Sequence, residues 1–229
     1  MFYFYAAFTM LIPIIGLTAF FRTFRRYREN LTPPALYLSF FLLLFSLNYV
    51  MAFLRIAAQN WDISFYLIAH ILASATPVFS LAFAISMVWP GREKISIAFS
   101  APLCAIYLIV GFLMEKEVVV VAPGITEIVY LSHGYLMLSQ LTVIVMSLFP
   151  SAIFLLYAHR VRWGSARRSA IMLSLSFGII AVFAYVLDFA GLLNHYLPLH
   201  RLLIAIGMCV LLCSLSRFEK NEIPDIVFR

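Results

Sequence analysis

Charge is what this chain has least of. Only 11% of its 229 residues are Asp, Glu, Lys or Arg, and 64% are apolar. A soluble domain carries about a quarter charged residues. So few charges cannot clothe a water-facing surface, which excludes a soluble domain of any size. The motifs of common chemistry are missing as well. There is no HExxH, no CxxC, no Gly-rich phosphate loop and no credible nucleophile–base pair, so nothing names a reaction and the chain does not read as an enzyme. Cysteine is scarce: Cys104, Cys209 and Cys213 all lie inside apolar stretches. They are expected as buried small apolar residues, with Cys209 and Cys213 on one helix face by their i, i+4 spacing. The net charge of +6 comes from cations beside apolar runs. It therefore reads as orientation and contact with anionic lipid, not as nucleic-acid binding.

What is there is a succession of apolar runs near residues 2–21, 33–54, 65–88, 95–113, 133–157, 169–191 and 198–216. Each is close to the roughly 20 residues that cross a bilayer as a helix. The expected fold is an all-α, seven-helix integral membrane bundle forming one domain over residues 1–229. Its basic residues are sorted: of 16 Lys and Arg, 13 fall in four alternate gaps, the last being the C-terminal tail. The other three are Arg55, Lys116 and Arg201. A bias of this kind sets orientation, with the N-terminus outside and the C-terminus in the cytoplasm of a cell membrane. Positive charge follows the first run instead of preceding it (Arg22, Arg25, Arg26, Arg28), so that run is expected to stay as a span and not to be cleaved. Pro13, Pro77, Pro102 and Pro150 fall inside spans and favour kinks. The one long connection, 114–132, carries two β-prone runs, Val118 to Val121 and Ile125 to Tyr130, around Pro123-Gly124. It predicts a short β-hairpin across the outer mouth, or else an irregular loop dipping into the interface.

A faint duplication runs through the chain. Tyr66-Leu67 and His70-Ile71-Leu72 match Tyr196-Leu197 and His200-Arg201-Leu202 in Tyr, Leu, His and Leu at an offset of 130. Tyr49, Val50 and Phe53 match Tyr185, Val186 and Phe189 at 136, and Pro13 matches Pro150 at 137. Spans one to three then repeat as spans five to seven. Span four is the linker, which makes the halves parallel repeats about an axis along the membrane normal.

Few polar residues are available for function. Asp188 lies inside the sixth span, where an ionisable group is costly and needs a partner or a cavity. Arg55 is its candidate partner, in a ligand or proton site or in a structural ion pair. Asn48 and Gln140 join them as candidate ligand contacts. His70, His133, His195 and His200 gather at the outer helix ends. They fit a metal or haem site, or else interfacial histidines that cap helices. Ser74, Thr76, Ser80, Ser147, Ser151, Ser174 and Ser176 suit helix-to-helix hydrogen bonds or a narrow cavity. The seventh span holds no lysine, which excludes a retinal Schiff base. No cofactor is named by these residues.

The layout resembles the seven-helix sensor region of some membrane histidine kinases. The likeness rests on the outer-facing start, the Asn48-Tyr49 region, the long connection ending near Tyr130, and the stretch from Tyr157 to Arg168. The chain ends soon after its seventh span, so the resemblance implies a signal passed to a separate partner and no kinase activity. The three-plus-one-plus-three plan also resembles the SWEET sugar transporters. Their paired asparagines are replaced here by Ala73-Ser74-Ala75-Thr76-Pro77 and Leu203-Ile204-Ala205-Ile206-Gly207. The expected function is a sensor-like or receptor-like module, or an accessory subunit, that docks a protein partner in the membrane or cytoplasm. A small-solute transporter comes second, and a haem-, metal- or quinone-binding subunit of a redox complex third.

Overall fold

The computed structural model describes residues 2–58, 63–113, 116–122, 125–130, 134–161, 164–186 and 193–220. Its helices are α1 (Phe2–Asn30), α2 (Pro33–Ala58), α3 (Ile63–Val88), α4 (Glu93–Leu113), α5 (Gly134–Arg160), α6 (Ser165–Ala181, running on into a π turn at Val182–Val186) and α7 (Leu193–Lys220). Seven helices are long and apolar enough to cross a membrane. The protein is thus a helical multi-pass membrane protein, and its apolar spans imply a lipid bilayer around it. Between α4 and α5, β1 (Lys116–Ala122) and β2 (Ile125–Tyr130) pair antiparallel, with Val118 opposite Ile128 and Val119 opposite Glu127. The bundle therefore has a hairpin end and, opposite it, a basic end.

Helix boundaries follow local chemistry. α1 does not stop at Arg22. Its cations and aromatics carry no breaker, so the helix continues to Asn30 and ends only where Leu31 takes a positive φ of 50° before Thr32-Pro33. The expected 22–32 connection is therefore mostly helix. Trp89 to Arg92 close a tight turn, with the Arg92 N–H donating to the Trp89 carbonyl at 3.1 Å. Pro90 supplies the fixed φ, and Gly91, at φ 87°, takes the left-handed position that other residues resist. Glu93 then opens α4 and is buried. Its place at a helix N-terminus is one where the dipole favours a carboxylate. α7 begins five residues earlier than the apolar run, so Pro198 lies inside it.

The main packing partners form a ring. α1 packs on α2, α2 on α3, α3 on α5, α5 on α6, α6 on α7, and α7 returns to α1, while α4 lies outside against α3 and α5. Lipid is as apolar as leucine, so close approach and hydroxyl contacts hold such helices together instead of hydrophobic exclusion. Gly16 of α1 faces Ser46 of α2 so closely that a Cβ would collide with its hydroxyl. Ser151 and Ser174 hydroxyls donate to each other's carbonyls at 2.8 and 2.9 Å, clamping α5 to α6. Ser39 donates to the Thr23 hydroxyl at 3.1 Å between α2 and α1. Ser46, Thr76, Ser80, Ser147 and Ser176 instead return their protons to carbonyls of their own helices. That satisfies them where water is absent.

In the basic-end half the interior is aromatic. Phe41 and Phe177 have ring centroids 5.2 Å apart, Phe83 and Phe154 5.6 Å, and Phe154 and Phe177 5.9 Å in a stacked pair. One expectation fails here. Cys209 and Cys213 do share a face, but it is the exposed one. α7 turns His200, Ile204, Met208 and Leu211 inward, and a small apolar group costs nothing against lipid.

Phe177 touches three of the other phenylalanines, one each from α2, α3 and α5. Phe177→Ala should therefore lower stability by about 3–5 kcal/mol, measured by denaturant unfolding in mixed micelles. Leu175→Ala, at an exposed position of the same helix, should cost far less. Equal losses for the two variants would contradict the packing described.

Candidate functional site

In the hairpin-end half the interior changes character. Tyr5 of α1 is fully buried at 0% exposure, and Tyr49 of α2 and His200 of α7 are buried beside it. The Arg201 side chain reaches across from α7. Its Nη2 donates to the Tyr5 hydroxyl at 2.9 Å. Its guanidinium carbon stands 5.3 Å from the centroid of the Tyr5 ring and 4.9 Å from that of Tyr49. The His200 ring lies 6.2 Å from Tyr5. A guanidinium in a span is expensive, and cation–π contact with two ring faces offsets part of that cost. α1, α2 and α7 thus join at one polar node. Arg55 lies half-buried near the end of α2.

His70 lies elsewhere. Buried on α3, it packs on α4, with its ring 4.7 Å from Tyr107 and 6.3 Å from Phe112. Gly111 of α4 lies directly beneath it, and a Cβ there would collide with the imidazole Nε2. Only glycine lets the linker helix close over His70. The two matched histidines therefore pack at different interfaces, α3 with α4 and α7 with α1.

Of the other candidates, Asn48 is half-buried on α2. Gln140 lies in α5 and His195 in the first turn of α7, with side chains outside the description. Asp188 and His133 lie outside the described residues. Among the described residues no group of three or more His, Cys, Asp and Glu is placed to hold a metal ion. Arg201 and Tyr5 are the residues that sequence reasoning passed over. The available signal was that Arg201 is the sole arginine in the seventh span ahead of its basic end. Comparisons with family models, with curated proteins and with solved structures each find no match.

A double-mutant cycle tests the node. Tyr5→Phe removes only the hydroxyl acceptor and Arg201→Gln removes the charge. Coupling of about 1.5–3 kcal/mol in unfolding free energy is expected from the charge-assisted hydrogen bond that the cycle isolates. Additive losses would mean that the two groups do not interact.

Proposed function

We propose that this protein is a sensor-like or receptor-like membrane module whose ligand-responsive region is the hairpin end, and which passes its state to a protein partner at the basic end. One observation carries this reading: the division of the interior. Arg201, Tyr5, Tyr49 and His200 cluster at the hairpin end, whereas Phe41, Phe83, Phe154 and Phe177 pack on one another in the other half. A transporter of the repeat type needs a polar site near the midplane with access to both sides. An aromatic plug beneath a polar node suits a one-sided input. Asp188 and Arg55 belong to the same end by sequence, and we assign them to the ligand or proton contact there, with Asn48 and Gln140 as further polar groups. His133 and His195 would join that end by position, and a metal or haem group remains the third reading.

The hairpin end is assigned to the outside and the basic end to the cytoplasm, on the 13-to-three sorting of Lys and Arg. Duplication supports the framework. The ring is unchanged when α1, α2 and α3 are exchanged for α5, α6 and α7, because α3 on α5 becomes α7 on α1. At the offset of 136 that pairs Tyr49 with Tyr185, Phe41 pairs with Phe177, and these two rings touch. A residue meets its own equivalent only beside a two-fold axis. At offset 130, His70 and His200, Val78 and Met208, and Leu81 and Leu211 are buried in both halves.

Two measurements test these assignments. In sealed vesicles, a thiol introduced as Arg25→Cys should react only from inside and one introduced as Glu117→Cys only from outside. The reverse pattern would overturn the orientation. Purification from native membranes should bring down a protein partner in fixed proportion, with no visible haem absorbance. Haem absorbance, or solute uptake by the protein alone in liposomes, would replace the sensor reading with one of its rivals.

A further inference from the structure

α1 is longer than a bilayer needs. Its 29 residues extend roughly 43 Å at 1.5 Å per residue, against about 30 Å of hydrocarbon. The excess lies at the basic end and carries Arg22, Arg25, Arg26 and Arg28. How these residues are arranged around the helix is informative. Gly16, Ala19 and Thr23 are buried and mark the face turned to the bundle. Phe21, Arg25 and Arg28 fall on the opposite face at i, i+4 and i+7, flanked by Arg22 and Phe24. Phe21 is 67% exposed and the Arg25 side chain 83% exposed. The outward face therefore reads, along its axis, as aromatic and then two guanidiniums one and two turns further on.

The polar contacts of that face are slight. Arg25 donates to Glu29 at 2.9 Å, an exposed i, i+4 pair of a kind worth little in water. Arg22 and Arg28 make no hydrogen bond or ion pair to any described residue. Phe20 stacks on Phe24 at 5.4 Å, and Phe24 lies 6.3 Å from Tyr27. These contacts make one rigid aromatic edge beside the cations. Aromatic rings settle at the headgroup boundary, and arginine binds phosphate bidentately with a pre-formed fork. α7, which packs beside α1, carries Arg217 and Lys220 at its own basic end.

We infer that the basic-end stub of α1 is a binding site for anionic phospholipid: Arg22, Arg25 and Arg28 hold the headgroup phosphate while Phe21 and Phe24 lie along its acyl chains. Charge complementarity selects this occupant. The face carries three exposed cations offset by Glu29 alone, and its aromatic upper half fits an acyl chain and not a water-borne anion. The site uses the basic end assigned above to the cytoplasm, where anionic lipid faces the protein, but its chemistry holds in either leaflet.

The test uses the full chain in nanodiscs with equal parts phosphatidylglycerol and phosphatidylcholine, followed by native mass spectrometry of retained lipid. Wild type should retain phosphatidylglycerol preferentially, and the preference should fall with salt. Each arginine near an anionic surface is worth on the order of fivefold in partitioning. The triple variant Arg22→Gln/Arg25→Gln/Arg28→Gln should therefore lose the preference by about tenfold or more. Arg92→Gln/Arg168→Gln, which removes two exposed cations at the same end, should keep most of it. Equal retention of both lipids by wild type, or an unchanged preference in the triple variant, overturns the site. So does full displacement of the lipid by glycerol phosphate, which would indicate a site for a free anion. If the triple variant fails to fold, the single variant Arg25→Gln and the salt series on wild type decide the matter. Reversed thiol labelling with lipid preference intact would overturn the orientation and leave the lipid site standing.

Discussion

Everything in this structure depends on one constraint: inside a bilayer no water is available to satisfy a polar group. The backbone answers it by coiling into helices. The hydroxyls answer it by returning their protons to carbonyls of their own helix, as in Ser46, Thr76 and Ser147, or by clamping two helices together, as in Ser151 and Ser174. Arg201 answers it with two tyrosine rings and a phenol oxygen. Where a charge needs no such help it sits at a helix end. The arginines of α1 begin where its apolar run stops. The Arg201 node at the hairpin end and the phenylalanine cluster towards the basic end both fit the same rule. Hydroxyls elsewhere in the interior, such as Ser39 with Thr23 and Ser151 with Ser174, find their partners on neighbouring helices.

Much of the framework was legible before any coordinates. Seven apolar runs became seven helices because hydrophobic length decides membrane insertion almost alone. Pro77, Pro102 and Pro150 lie inside helices as expected. The Val- and Ile-rich runs around Pro123-Gly124 have the composition of paired strands, and strands flank that position. Helix ends were less legible. Arginine and tyrosine propagate a helix as well as phenylalanine does, so hydropathy stopped α1 at residue 21 while the backbone continues to Asn30. The seventh apolar run begins near residue 198, but α7 already runs from Leu193, with Pro198 inside it.

The candidate site was legible only in part. Asp188 and the histidines drew notice because titratable groups in apolar runs are rare. The node built on Arg201 did not, because its partners are tyrosines distant in sequence: Tyr5 lies 196 positions away from Arg201. Tyrosine is ordinary in a membrane helix, and no spacing rule links α1 to α7. Likewise the burial of Cys104 and the exposure of Cys209 and Cys213 depend on which face each helix turns inward, and periodicity is weak where both faces are apolar. The moment that separates core from surface in a soluble helix nearly vanishes when the solvent is hydrocarbon.

The linker helix makes the two proposed halves unequal in a way that bears on function. α4 lies against α3 and α5, and in the exchanged arrangement the matching surface is that of α7 and α1. His70 is covered by α4 through Gly111 and Tyr107. His200, its partner at offset 130, meets Tyr5 of α1 instead, and the adjacent Arg201 takes up the contact with α2. One imidazole is thus packed between α3 and α4, and the other stands beside Arg201, whose guanidinium lies over two tyrosine rings. If the halves are repeats, the matched histidines stand in unlike surroundings, one against the linker helix and the other against α1. α1 runs from the Arg201 node to the basic stub at its far end as one continuous helix with Pro13 inside it, so the two features belong to one element.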